Sequence, residues 1–384
     1  MSPRSRSLIK TLLPIPLAAA VAALVLLAGC GSAVDTQPGG ADLSGSATTI
    51  RVHHAATSMF VRGDSAGLSW SRGSAMTGAR GGDTWTFTVA LKAKLQFKPL
   101  ADDLAWSRGP NYAVLPGQTV DVWPRFDNDR GTVQRIDSWW SNGLQNNRPV
   151  WIYYPPSYGE QPLLHYPVVY MHDGQNLFDP AYSFQGVIWN VQQAMDQGAQ
   201  DGSIREAIVV GIGNTPDRIR EYTPTDGGYG GGGARAYVTF LTDELKPEMD
   251  KNLRTSPGRL DTTLLGSSLG GLVSSCAGVW RPDVFGVIGA MSPSTWWDNA
   301  MLIGLVAGTR GAAVKPARVY VDSGDAGPDS DDNVNTTRLA QTYQGVGVPV
   351  QHVIGHGDSH NESAWARRLP GALRFLLGPR AAMP

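Results

Sequence analysis

Two rhythms of apolar and polar residues divide this chain. Between residues 50 and 126, short stretches alternate apolar with polar positions and are broken by Gly, Pro, Asn and Asp, as at 50–53, 85–89, 95–98 and 120–123. Period-two alternation between turn residues predicts half-buried strands, here of a small all-β, Ig-like sandwich. After a polar connector at 127–136 the rhythm changes. Continuous apolar runs at 150–154, 168–171, 208–212, 260–265, 287–291, 319–321 and 350–354 alternate with helical stretches, among them 187–196, 234–253 and 271–280. That alternation predicts an α/β domain over 127–384, a mostly parallel sheet with helices on both faces. In 234–253, Tyr237, Phe240, Leu241, Leu245 and Met249 recur at helical spacing, so one face of that helix is expected against the sheet.

The first thirty residues follow neither rhythm. Arg4, Arg6 and Lys10 precede an apolar run at 12–27 that ends in small residues, the layout of an export signal that is removed. The segment Leu27-Ala28-Gly29-Cys30 resembles the lipobox of bacterial lipoproteins. The resemblance implies that Cys30 becomes the lipidated first residue of the mature chain; the alternative is a secretory signal followed by an incidental cysteine. The apolar run is too short for a structural membrane span, so the lipid alone is expected to hold the protein to a membrane. Gly31 is not the aspartate that commonly retains lipoproteins at an inner membrane, which favours an outer membrane or cell surface. Residues 30–49, rich in Gly, Ser, Thr and Ala, are expected to form a flexible tether.

Composition narrows the partners. With 384 residues, a formal net charge of -1 and 42% apolar residues, the chain suits a two-domain globular protein and offers nothing to attract nucleic acid. Its only other cysteine is Cys276, so a lipidated Cys30 leaves no intramolecular disulfide. Cys276 lies within a predicted helix and reads as a small buried apolar residue.

Chemistry concentrates at Gly266-Ser267-Ser268-Leu269-Gly270, between the predicted strand at 260–265 and the helix at 271–280. A G-x-S-x-G turn in that setting is a nucleophile elbow: the central serine, Ser268, sits at a strained corner that only flanking glycines permit. Nucleophilic catalysis then needs a base, a carboxylate to orient it, and amide donors for the oxyanion. Downstream lie His352, His356 and His360, and a loop at 322–332 with five aspartates. That loop faintly resembles a calcium loop through Asp329, Asp331 and Asn333, but it lacks the following Gly and the distal Glu, so no metal is expected. Neither is a cofactor. The glycine-rich loop 226–233 lacks the strand, Lys and Ser of a phosphate loop and reads as a flexible rim.

Several separated segments resemble the esterase group of α/β-hydrolases that includes esterase D, feruloyl esterases and enterochelin esterases. They are Arg148-Pro149-Val150-Trp151, Met171-His172-Asp173-Gly174-Gln175-Asn176, Ile208-Val209-Val210-Gly211-Ile212, the elbow, and His360 followed by Trp365. The resemblance spans about residues 131–378 and implies the α/β-hydrolase fold with a Ser, Asp, His order of the triad. It points to His360 as base through its spacing to Trp365. For the acid it favours Asp329, then Asp331, then Asp325; Asp331 and Asp332 also read as the cap and first-turn charges of the following helix. The resemblance implies the amides of Leu269 and Gln175 as oxyanion donors, with Asp173 standing between His172 and Gly174 where the family's pattern has a direct His-Gly pair. Trp296 and Trp297 fall where relatives line the pocket. In the β-rich segment, Gly67-Leu68-Ser69-Trp70, Trp85, Leu95-Gln96-Phe97-Lys98, and Trp106 leading to Asn111-Tyr112 resemble starch-binding modules. That implies sugar stacking on Trp106 and Trp70, the alternative being that these tryptophans fill a core.

The expectation is therefore a serine esterase acting on a small-molecule or glycan ester. Acyl transfer to a sugar, siderophore-ester hydrolysis, and a glycan-binding lipoprotein with a vestigial hydrolase domain stand as alternatives.

Overall fold

Continuous apolar runs must be covered on both faces, and four strands buried at every position lie at the centre of the largest sheet. The structure, a computed structural model, describes residues 45–378; the export signal, Cys30 and most of the tether lie outside them. From edge to edge the eight-stranded sheet runs through the strands at 350–355, 318–324, 287–291, 262–267, 168–172, 208–212, 146–154 and 132–141. Its fully buried strands are β11 (Val168–His172), β12 (Ile208–Ile212), β13 (Thr262–Ser267) and β14 (Val287–Met291). These pair in parallel with one another and with β15 (Arg318–Gly324) and β16 (Val350–Gly355). The hairpin β9 (Thr132–Ser141) and β10 (Asn146–Tyr154) closes the other edge antiparallel.

Helices cover both faces. One apolar layer joins the sheet to α5 (Leu269–Trp280), α6 (Trp297–Ala307) and α7 (Asn333–Gly345), and Cys276 is buried within it. The opposite layer contains α1 (Val191–Asp201) and α8 (Glu362–Leu377). The helix expected over 187–196 starts later, because Asn190 adopts a left-handed conformation that a right-handed helix cannot include. The segment expected over 234–253 is helical from α3 (Ala234–Thr239) to α4 (Lys246–Asn252), with the predicted apolar residues buried. Between them Phe240–Leu245 widens to π-helical turns, where Pro247 can supply no amide to the ordinary ladder.

Residues 46–122 form two small sheets around a shared core of Ile50, Val52, Val61, Trp85, Phe97 and Val114. Strand β1 (Ser46–His53) pairs with β4 (Thr84–Leu91), so Ser46 to Thr49, expected in the tether, belong to a sheet. The connector is pinned: Glu160 accepts the amides of Phe126, Asp127 and Asn128, and buried Arg125 reaches Glu206 and Gln200 on the α/β side. Among the described residues no helix is long and apolar enough to cross a membrane.

Candidate active site

The elbow is built from a clash that only glycine avoids. A Cβ on Gly266 would lie 2.7 Å from the backbone of Gly270 and from the His172 ring, so the chain can turn from β13 into α5 this tightly only without one. Strand and helix run to within one residue of Ser268, closer than the expected 260–265 and 271–280, and Leu260 lies in a turn before the strand. Ser268 takes φ 56° and ψ -124°, a conformation that costs an ordinary residue roughly 1–3 kcal/mol. The turn is held by Ser268 N–H donating to Met291 O and by the Ser294 and Leu272 amides donating to Ser268 O, each at 3.0 Å.

The strained corner presents the Ser268 hydroxyl 2.9 Å from His360 Nε2, and His360 Nδ1 lies 2.6 Å from Asp331 Oδ1. His360 follows β16 and its ring packs edge-on against Trp365 at 5.0 Å. Of the other histidines, His352 is part-buried within β16, and His356 is exposed and pairs with Asp325 at 2.7 Å. The carboxylate behind His360 is Asp331; Asp329 and Asp325 are not. Asp329 is exposed, and Asp325 is engaged by His356 and the Gly357 amide. The reason is the handedness of the turn. Residues 329 to 332 all have φ near +50°, so the aspartate aimed inward is not the one an extended loop would aim. Asp331 is buried behind His360, while Asp332 stands at the N-cap position of α7, its carboxylate accepting from the Thr295 and Asn335 side chains rather than from a helix amide.

Burial pushes the Asp331 carboxyl up, but hydrogen bonds from His360, Ser292 and the Gly324 amide outweigh it and hold the group below the ordinary carboxylate range. At neutral pH it is an anion beside an imidazole. Its ionisation stabilises the fold above the ordinary carboxylate pKa, and that contribution is lost as pH falls through the lowered value.

Two backbone amides near the elbow and the turn after β11 have no partner within their own elements. Leu269 opens α5, so its N–H has no partner within the helix. Gln175 lies in the tight turn Gly174–Asn176, whose own bonds begin with the Asn176 amide. Asp173 holds that turn, its carboxylate receiving Arg218 Nε and Nη2 at 2.7 and 2.8 Å and Asn214 Nδ2 at 2.7 Å. Beyond the serine, Ser294 Oγ lies 3.3 Å from Ser268 Oγ, and the chain continues into Trp296 and Trp297. Trp296 is half exposed and meets Tyr229 of the glycine-rich loop edge to face at 6.2 Å. Trp297 is buried, its indole N–H donating to Thr225, so only one of the pair offers an open face. In the small sheets, Trp85 fills the core, while Trp70 and Trp106 are exposed with ring centroids 6.4 Å apart.

The sequence profile of a family described as "Putative esterase" matches residues 141–376. The chain belongs to this esterase family. It is 31% identical over 164 residues to the Bacillus subtilis protein YbbA, covering 40% of this chain and 60% of that one. It is 25% identical over 264 residues to an endo-1,4-beta-xylanase/feruloyl esterase of Xylanibacter ruminicola, covering 66% of this chain but 33% of the relative. Against the Bacillus subtilis ferri-bacillibactin esterase BesA, identity is 27% over 204 residues, covering 48% and 68%. The fold is shared with an IroE-like serine hydrolase from Shewanella oneidensis, with a TM-score of 0.52 and 24% identity over 64% of this chain and 80% of that one. It is also shared with the BES protein of Bacillus cereus, TM-score 0.53 and 24% identity over 64% and 94%.

The esterase-family site has a second layer that the sequence reading missed. Arg368 of α8 is buried, donating to Asp358 Oδ2 at 2.7 Å and Ser292 Oγ at 2.8 Å and pairing with Asp322 at 3.1 Å. Because Arg368 donates to the Ser292 oxygen, the Ser292 proton is directed to Asp331 Oδ2, 2.6 Å away. Burial raises the Asp322 carboxyl, and Arg368 with the Ser292 amide only partly offsets it. The signal was present: Arg368 stands on the apolar stripe of α8 with Trp365, Leu369 and Ala372. Arg368→Met is expected to lower stability by about 3–5 kcal/mol, as removal of one partner from a buried ion pair does, read from urea unfolding midpoints. Arg368→Lys should not restore the full loss, since one ammonium cannot reproduce the fork. Wild-type stability in Arg368→Met would show that the cluster is not a coupled unit.

Proposed function

We propose that this chain is a serine esterase that hydrolyses carboxylic esters through an acyl-enzyme. The observation that carries the reading is the unbroken line Ser268 Oγ, His360 Nε2, His360 Nδ1, Asp331 Oδ1, at 2.9 and 2.6 Å, on a strained strand-to-helix corner. Ser268 Oγ attacks the ester carbonyl carbon while His360 takes its proton, and Asp331 stabilises the imidazolium. The oxyanion sits against the amides of Leu269 and Gln175, each such donor contributing roughly 3 kcal/mol in the transition state. Collapse breaks the carbon–alkoxy bond and His360 returns the proton to the departing alcohol. Water then repeats the sequence, releasing the acid and restoring the serine.

Trp296 and Tyr229 form the aromatic wall for the acyl group, which fits planar aromatic acids of the kind named for the feruloyl-esterase relative. Hydrolysis of a siderophore ester, as the name of BesA describes for that protein, uses the same steps with another leaving group. Acyl transfer to a sugar would replace the water. In this proposal Cys30 carries the lipid that holds the exported protein at an outer membrane or cell surface, and Trp70 with Trp106 offers a sugar-stacking face on the small β-sheets, read as an Ig-like sandwich. A glycan-binding protein with an inactive hydrolase domain accords poorly with a serine and histidine at hydrogen-bonding distance.

Stopped-flow mixing with p-nitrophenyl acetate checks the chemistry. The expected trace is a burst of about one p-nitrophenol per chain followed by slower steady release of p-nitrophenol, limited by hydrolysis of the acetyl-enzyme. No turnover of any short-chain p-nitrophenyl ester would refute the esterase reading.

A further inference from the structure

Along α1, Gln193, Gln197 and Gln200 fall at intervals of four and three residues, which sets them on successive turns of a single face, and Asn190 stands just before the helix. That face lines a cleft of about 550 Å³ whose other wall is Asp129 and Arg130 of the connector. At the end of the cleft near the start of α1 lie Leu177, Phe178 and Ile188, the first two following directly on the turn that carries Gln175. At the connector wall, Asp129 pairs with Arg108, two residues beyond the exposed Trp106.

The cleft is built, and its polar groups divide into two sets. Gln192 donates to Gly131 O at 2.8 Å, buried Asp196 accepts the Gly131 amide and the Tyr153 hydroxyl, and Gln200 Oε1 accepts from Arg125. These hold the walls together. The side chains of Asn190, Gln193 and Gln197 make no hydrogen bond to any described residue and stand exposed along the groove. An amide both donates and accepts, so a row of them suits a ligand rich in hydroxyls. The row advances about 5.4 Å per turn, close to the length of one pyranose unit in a chain. Phe178 and Ile188 supply apolar surface for the C–H faces of a sugar ring. An anionic ligand fits poorly, since the lining holds two carboxylates against the single cation Arg130. A drug-like apolar ligand fits no better, because such sites are lined mainly by hydrophobic side chains.

We propose that this cleft is a binding site for a neutral oligosaccharide, with the amide row of α1 reading successive sugar hydroxyls. That the bound glycan carries the ester presented to Ser268 rests on the esterase reading above; the binding itself does not. The test separates the two. Calorimetric titration of xylohexaose, cellohexaose and maltohexaose into full-length protein carrying Ser268→Ala, Trp70→Ala and Trp106→Ala removes both turnover and the exposed tryptophan pair. At least one of the three is expected to bind with one site per chain. Adding Gln193→Ala and Gln197→Ala is expected to weaken that binding about tenfold or more, at an unchanged melting temperature. Absence of binding by all three sugars, or equal affinity with and without the two glutamines, would overturn the proposal. An inactive wild-type enzyme that still binds the sugar through these glutamines would refute the esterase reading and leave the cleft intact.

Discussion

Substituting Ser268 with alanine is expected to lower kcat for p-nitrophenyl acetate roughly a million-fold and to abolish the burst. The size follows from what Ser268 does in the proposed chemistry. Without its oxygen no acyl-enzyme forms, and the oxyanion donors can only assist direct attack by water. His360→Ala should cost about as much, and the double variant little more, because the two groups act as one unit. A loss of less than tenfold in Ser268→Ala would remove this serine from the mechanism. Thermal melting guards against a trivial cause: alanine at φ 56° keeps the strain that Ser268 already bears, so the fold should survive.

Asp331→Asn is expected to reduce kcat about ten-thousand-fold, while Asp329→Asn leaves it at the wild-type value. The hydrogen bonds around Asp331 dictate the outcome. Its Oδ2 receives both the Ser292 hydroxyl and the Gly324 amide, so an asparagine must place its carbonyl oxygen there. The NH₂ group then faces His360 Nδ1, which lies 2.6 Å from the second carboxylate oxygen. As donor, that NH₂ forces the imidazole proton onto Nε2, and the ring can no longer accept from Ser268. Measuring kcat for both variants decides between the two aspartates. A large loss in Asp329→Asn with none in Asp331→Asn would reverse the assignment.

The same pair of aspartates marks how far the sequence could be read. Ser268 was legible because a G-x-S-x-G turn between an apolar run and a small-residue helix has few structural solutions, and Gly266 meets a steric demand no other residue can. The buried sheet was legible because β11 to β14 each carry a continuous apolar run rather than an alternating one, a pattern that cover on both faces explains. Which carboxylate turns inward was not legible. It depends on a left-handed turn at residues 329 to 332, where residue spacing carries no directional information. Arg368 was hidden for another reason: an arginine on an apolar stripe declares itself buried but does not name its partners, and Asp322, Ser292 and Asp358 come from three other places in the chain. The start of α1 slipped because Asn190 breaks the helix by conformation rather than by a Pro or Gly.

The central claim is that Ser268, activated by His360 and Asp331, becomes covalently acylated. Peptide mass mapping after reaction with a fluorophosphonate, a reagent that couples to activated serine hydroxyls, tests it most directly. One adduct per chain is expected, located on Ser268, formed in wild type and Asp329→Asn but strongly slowed in Asp331→Asn. An adduct on any other residue alone, or full ester hydrolysis by protein whose Ser268 carries the adduct, would overturn the assignment.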